Sequence, residues 1–304
     1  MLPDVLSVIA RALGFACALQ AGGIALFLQL FGGQGAALTL RIRRLGSASA
    51  WVAVGLVVVQ YGLEPARMAG ELAGIADSSL QRLAATSTVA IAAVLRIVGL
   101  LLVALALRSR RALLEIEHGA QGVGESAPSS ARWASFAGAL LIAASFAATG
   151  HTTAHDHRWV LAGLLLIHLF VIELWFGALL PLILITRADA QSAAQTLRNF
   201  SRLATVLVPL IFVAGVGLVW GLVPALQVFS EPYGQLLIAK VAGFAVLLGL
   251  AALNKWSFAP ALEAGDRERA RHFQWCAGAE YVLIVIVLAT TAVMTSFFSP
   301  EVGS

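Results

Sequence analysis

The sequence predicts an all-α protein, a polytopic transmembrane bundle of about eight helices with both termini on the periplasmic side. Three observations predict it. First, 60% of the 304 residues are hydrophobic and only 12% are charged, against about 25% charged in a soluble domain. Second, the apolar residues gather into eight runs, at about 5–31, 47–63, 88–107, 133–149, 159–186, 201–223, 233–253 and 273–298. Each approaches or exceeds the ~20 residues that cross ~30 Å of hydrocarbon at ~1.5 Å per residue. Third, the charges between the runs alternate in sign bias from loop to loop.

That alternation sets the orientation. Connections after the first, third, fifth and seventh runs hold Arg41, Arg43, Arg44, Arg108, Arg110, Arg111, Arg132, Arg187, Arg198, Arg202, Lys255, Arg267, Arg269 and Arg271; the opposite side holds only Arg67, Arg82 and Arg158. Fourteen basic residues against three place the first group in the cytoplasm by the positive-inside rule. The net charge of +4 is therefore a property of membrane orientation and points to a bilayer, with no nucleic acid as partner. Strands are excluded by pattern. A membrane barrel alternates apolar and polar residues, and a run such as Ala242 to Leu253 is continuously apolar and rich in Ala, Leu and Gly, as close-packed membrane helices are.

The first run is much longer than a signal core and follows Met1-Leu-Pro-Asp4 without a basic segment, so it is expected to stay in the membrane. Between the second and third runs, residues 64–86 set Met68, Leu72, Ile75, Leu80 and Leu83 among polar residues, the pattern of an amphipathic segment on the periplasmic membrane surface. Residues 111–132 contain Gly-Val-Gly-Glu-Ser-Ala-Pro-Ser-Ser, a flexible cytoplasmic linker. It divides the chain into an N-terminal three-helix unit (residues 1–110) and a C-terminal five-helix membrane domain (residues 133–304). Cys17 and Cys276 fall at different depths, so no disulfide is expected between them. No nucleotide-binding loop and no phosphorylated-aspartate motif is present, and the expectation is a protein that is not an enzyme.

Chemistry can reside in few places. His151, His155, Asp156 and His157 lie within seven residues of the outer loop before the fifth run, and neutral imidazole is a ligand for copper, zinc and nickel. His168 lies inside that run, eleven residues beyond His157 and on nearly the same helix face, about 16 Å away. Glu173 and Trp175 follow it. An ionisable residue inside a span costs several kcal/mol and is a functional candidate by default. Arg11, Arg96 and Lys240 fall roughly 9–12 Å below the outer boundary, level with His168, and Glu173 and Glu280 near 20 Å. Three cations above two carboxylates suggest pairing across helices, a structural salt-bridge layer, or a polar pathway.

From Gly150 onward these residues form an ordered set: Thr149-Gly150-His151, His168, Trp175-Phe-Gly177-Ala-Leu-Leu-Pro-Leu182, Arg198-Asn-Phe-Ser201, Gly215 and Gly217, Tyr233-Gly234 with Leu237 and Lys240, Asn254, and Glu280. In order and spacing the set resembles the copper resistance protein D (CopD) family, and the first run, with Arg11, Gly22, Gly23 and Phe27, is similar to the family's N-terminal region. The resemblance implies an inner-membrane protein of copper homeostasis and resistance that assists copper transport from periplasm toward cytoplasm beside a small periplasmic copper-binding protein. It implicates His151 and His168 as ligands, with His155 and His157 joining the capture of a copper ion. Glu173, Glu280, Lys240, Arg11 and Arg96 would compensate charge or relay protons, and Trp175 would line the pocket. Three departures stand out: the Trp-x-Gly-Gly usual after the buried His reads Trp175-Phe-Gly177-Ala178, Gly14 replaces a His common in relatives, and Glu173 stands where small apolar residues are usual. Two other readings remain open. Buried imidazole can ligate haem, with cations at the propionates, making a b-type electron carrier. A non-catalytic membrane anchor for a periplasmic partner would need the charges only for structure.

Overall fold

The computed structural model describes residues 2–32, 34–108, 129–149, 157–223, 226–258 and 266–298. Ten α-helices carry the fold among these residues: α1 (Leu2–Leu30), α2 (Ala36–Gly62), α3 (Glu64–Ala69), α4 (Ser78–Ala85), α5 (Thr88–Arg108), α6 (Ser129–Ala147), α7 (Arg158–Ala188), α8 (Ala190–Leu222), α9 (Pro232–Leu253) and α10 (Arg267–Phe297). Eight helices are long and apolar enough to cross a membrane. The chain is a multi-pass membrane protein, all-α among its described residues.

The apolar runs locate the helices and underestimate several of them. α2 starts at Ala36 and α8 at Ala190, each about ten residues before its apolar run. Arg41, Arg43 and Arg44, and likewise Arg198 and Arg202, are helical. Hydropathy marks where the hydrocarbon begins, whereas a helix continues wherever its backbone bonds are kept and its long cations can reach headgroups and water.

Residues 64–86 fold as two short helices joined by a 3₁₀ turn, Leu72–Ala76. α3 ends at Gly70, whose φ of 77° is left-handed, the usual way to terminate a helix. α4 is capped by Asp77, whose carboxylate accepts from Ser79 N at 2.8 Å and Leu80 N at 3.3 Å. Met68, Leu72, Ile75 and Leu83 are exposed. Arg67 pairs with Glu64 within α3 at 3.0 Å and ties the segment to the bundle through Asp4 of α1 at 3.7 Å.

α1 and α7 form the centre. They bury most of their central lengths, whereas α8 and α9 bury little. Glycine makes this possible. At Gly23 an added Cβ would lie 1.9 Å from the Glu173 carbonyl oxygen, and at Gly177 it would lie 2.3 Å from Gly23 Cα. The two helices therefore cross with backbones in contact, as small residues permit in lipid. α5 and α6 cross the same way, at Gly99 and Gly138. Inside α7, Pro181 has no N–H to give the carbonyl of Gly177. Gln20 of α1 supplies the missing donor, Nε2 to Gly177 O at 3.3 Å.

Candidate functional site

The histidine group that precedes α7 can be followed only at one end. His151 and His155 lie outside the described residues. His157 stands at the N-terminal boundary of α7, exposed, with its side chain making no cap bond. Among the described residues no group of three His, Cys, Asp or Glu is placed to hold a metal ion.

His168 is set between three helices. Its Nδ1 faces the carbonyl oxygen of Ile211 on α8 at 3.3 Å. A carbonyl only accepts, so Nδ1 carries the proton and Nε2 of the neutral ring keeps a lone pair. Gly215, one turn beyond Ile211, makes room for the ring: a Cβ there would lie 3.5 Å from His168 Cε1. Lys240 of α9 is close enough for its charge to act on the imidazole. The sequence placed His168 and Lys240 at one depth, and in the fold the Lys240 charge lies within electrostatic reach of the ring.

Glu280 anchors a second polar centre. Trp175 Nε1 donates to its Oε2 at 3.2 Å, and Asn254 Nδ2 donates to Oε1. Three helical segments thus converge on one carboxylate that is 2% exposed. Asn254 opens a short π-helical stretch, Asn254–Phe258, which turns its amide toward α10.

The cations do not pair with these acids. Arg96 Nε donates to Ser145 Oγ at 2.9 Å, and its guanidinium lies 4.3 Å from the Phe146 ring centroid and 5.4 Å from that of Phe15. Arg11 reaches the end of α10, donating to Ser296 Oγ at 2.9 Å, while Glu64 and Arg67 act on it from further away. Glu173 is completely buried, and among the described residues neither of its oxygens has a hydrogen-bond partner. The interhelical salt-bridge layer suggested by depth is therefore not formed among the described residues. Aromatic faces, hydroxyls and amides take the place of counter-ions, because they are what the neighbouring helices present at those levels.

Sequence reasoning missed Gln20 and the Phe15–Phe146 cradle, and gave Asn254 no role. Gln20 had a signal: it is the lone amide in the middle of an apolar run, and the Pro four residues after Gly177 left a carbonyl needing a donor. The cradle had none, since residues 131 apart in sequence meet only through the fold.

Comparison with known proteins bears on the last three spans first. Residues 194–294 match the family model described as Copper resistance protein D. Over these residues the chain is similar to copper resistance protein D. The match covers α9, all of α8 from Ala194 on and α10 up to Met294, and so includes Lys240, Asn254 and Glu280; His168, Glu173 and Trp175 precede it. A curated Copper resistance protein D from Pseudomonas syringae pv. tomato is 31% identical over 150 residues, which is 45% of this chain and 48% of that protein. The alignment thus spans about half the length of the relative. No solved structure matches. The family resemblance seen in the sequence is supported over this region.

Proposed function

We propose that this protein binds copper at the periplasmic face of a bacterial inner membrane and assists its passage toward the cytoplasm. The observation that carries the reading is the imidazole of His168. A metal-binding His commonly donates its second ring N–H to a carbonyl or carboxylate, which fixes the tautomer and orients the lone pair. The Nδ1–Ile211 contact meets that requirement, within a chain whose C-terminal region is similar to copper resistance protein D.

In this reading His151, His155 and His157 capture the ion at the mouth, and His168 is the next stop, about 16 Å along the helix from His157. Trp175 lines the pocket and orients Glu280. Glu280 and Glu173 compensate charge or relay protons, and Lys240, Arg11 and Arg96 hold the outer layer. Both termini are periplasmic. The N-terminal unit (residues 1–110) supports the C-terminal membrane domain (residues 133–304) across the linker 111–132, and a periplasmic copper-binding protein delivers the ion.

The test is metal analysis and an optical spectrum of purified protein, before and after His151→Ala and His168→Ala. The expected result is bound copper that falls with either substitution. Copper unchanged in both variants overturns the reading in favour of a membrane anchor. A Soret band lost in His168→Ala replaces copper with haem.

A further inference from the structure

The two acids at the centre of the bundle have opposite surroundings. Each oxygen of Glu280 accepts a hydrogen bond, one from Trp175 and one from Asn254. Glu173 is 0% exposed, and among the described residues neither Oε1 nor Oε2 has a donor. Its place is nonetheless built. Oε1 occupies the space that a side chain at Gly22 would fill, 1.5 Å from where a Cβ would stand, and the Glu173 backbone presses on Gly23. Two successive glycines on α1 thus form a notch for one carboxyl group. Among the described residues, none of the charged groups on the helices packed against α7, Arg11 on α1 and Glu280 on α10 included, acts on it.

Among the described residues an ionised carboxylate in this notch would have neither a cation nor a donor, a cost of several kcal/mol or more. A neutral carboxylic acid loses far less on burial. The crossing also holds a spare acceptor, since among the described residues the buried Gln20 Oε1 has no partner while its Nε2 serves Gly177.

We propose that Glu173 is a proton-binding site, a neutral carboxylic acid housed in the Gly22–Gly23 notch and able to give up its proton only when α1 and α7 part. This inference stands apart from the copper reading: it concerns the metal-free protein and survives if no metal binds. The backbone contact at Gly23 and Gly177 is then a seal over the site. Deprotonation would place an unpaired charge inside it, so proton release and opening of the crossing are one event.

Infrared spectroscopy of the metal-free protein at neutral pH tests this. A carbonyl-stretch band of protonated carboxylic acid is expected in the native protein, lost in Glu173→Gln. Glutamine imitates the neutral acid, so Glu173→Gln should fold and melt close to the native protein. A band unchanged by Glu173→Gln overturns the proposal. So does a Glu173→Gln protein that fails to fold, because a neutral isostere would then be no substitute for the native state of the group.

Discussion

Trp175 shows how one residue's value depends on its donor. The ring is buried in the core, and its Nε1 is one of two donors to Glu280. Trp175→Phe keeps an aromatic body but leaves a buried carboxylate oxygen without a partner, which costs about 1–3 kcal/mol. Thermal unfolding in detergent should show a lower melting temperature for Trp175→Phe. The larger-volume loss in Trp175→Ala should lower it further, by the cavity left behind. Arg96 behaves differently. Its charge rests on two phenyl faces and one hydroxyl, a desolvated cation–π arrangement worth about 2 kcal/mol. Depth along the helix could be read from the sequence for both residues. Their partners could not, because each partner comes from a different helix, and neutral partners leave no charge pattern to match.

At the scale of elements, the helices were legible where apolar runs are long, as in α5 and α9, whose bounds differ from the runs by one residue. They were least legible where a helix continues beyond the hydrocarbon. The crossings were not legible at all: glycine is common throughout the chain, 28 residues, and nothing local distinguishes a contact glycine such as Gly99 from one facing open space such as Gly55. This gives a paired expectation. Gly99→Ala puts a Cβ 2.7 Å from the Gly138 carbonyl oxygen, forcing α5 and α6 apart at a cost of about 1–3 kcal/mol. Gly55→Ala meets nothing within 4 Å and gains helix propensity. Melting temperatures should therefore fall for the first and hold or rise for the second. The short surface helix α4 offers a titratable case. Hydrogen bonds from the Ser79 hydroxyl, then from the Ser79 and Leu80 amides, hold the Asp77 carboxyl below its usual range. A depressed acid stabilises the folded form above its unfolded value and loses that contribution as pH falls through the folded one. Amide exchange at Ser79 and Leu80 should therefore quicken, relative to intrinsic rates, in acid only, and Asp77→Ala should remove the pH dependence.

For the whole molecule, the arrangement of charge is the strongest constraint, and it was visible in the sequence. Fourteen basic residues flank one set of span ends and three the other, and among the described residues eight helices, an even number, are long and apolar enough to cross a membrane. The consequence can be measured without reference to copper. In a background with Cys17 and Cys276 replaced, Glu71→Cys, between α3 and the 3₁₀ turn, and Ser129→Cys, at the start of α6, both lie at exposed positions. An impermeant maleimide added to intact spheroplasts should label the Glu71→Cys variant and spare the Ser129→Cys variant until the membrane is lysed. The reverse pattern would turn the bundle over. It would also move His168, whose depth is counted from the outer end of α7, to the cytoplasmic half of the bilayer, and capture at a periplasmic mouth would lose its physical basis. Equal labelling of both sites before lysis would mean that α5, among the described residues the one long apolar helix between them, fails to cross. The loop-charge alternation leaves no room for that, since deleting this crossing puts Arg108, Arg110 and Arg111 on the side that otherwise carries only Arg67, Arg82 and Arg158, against the bias that orients every other loop.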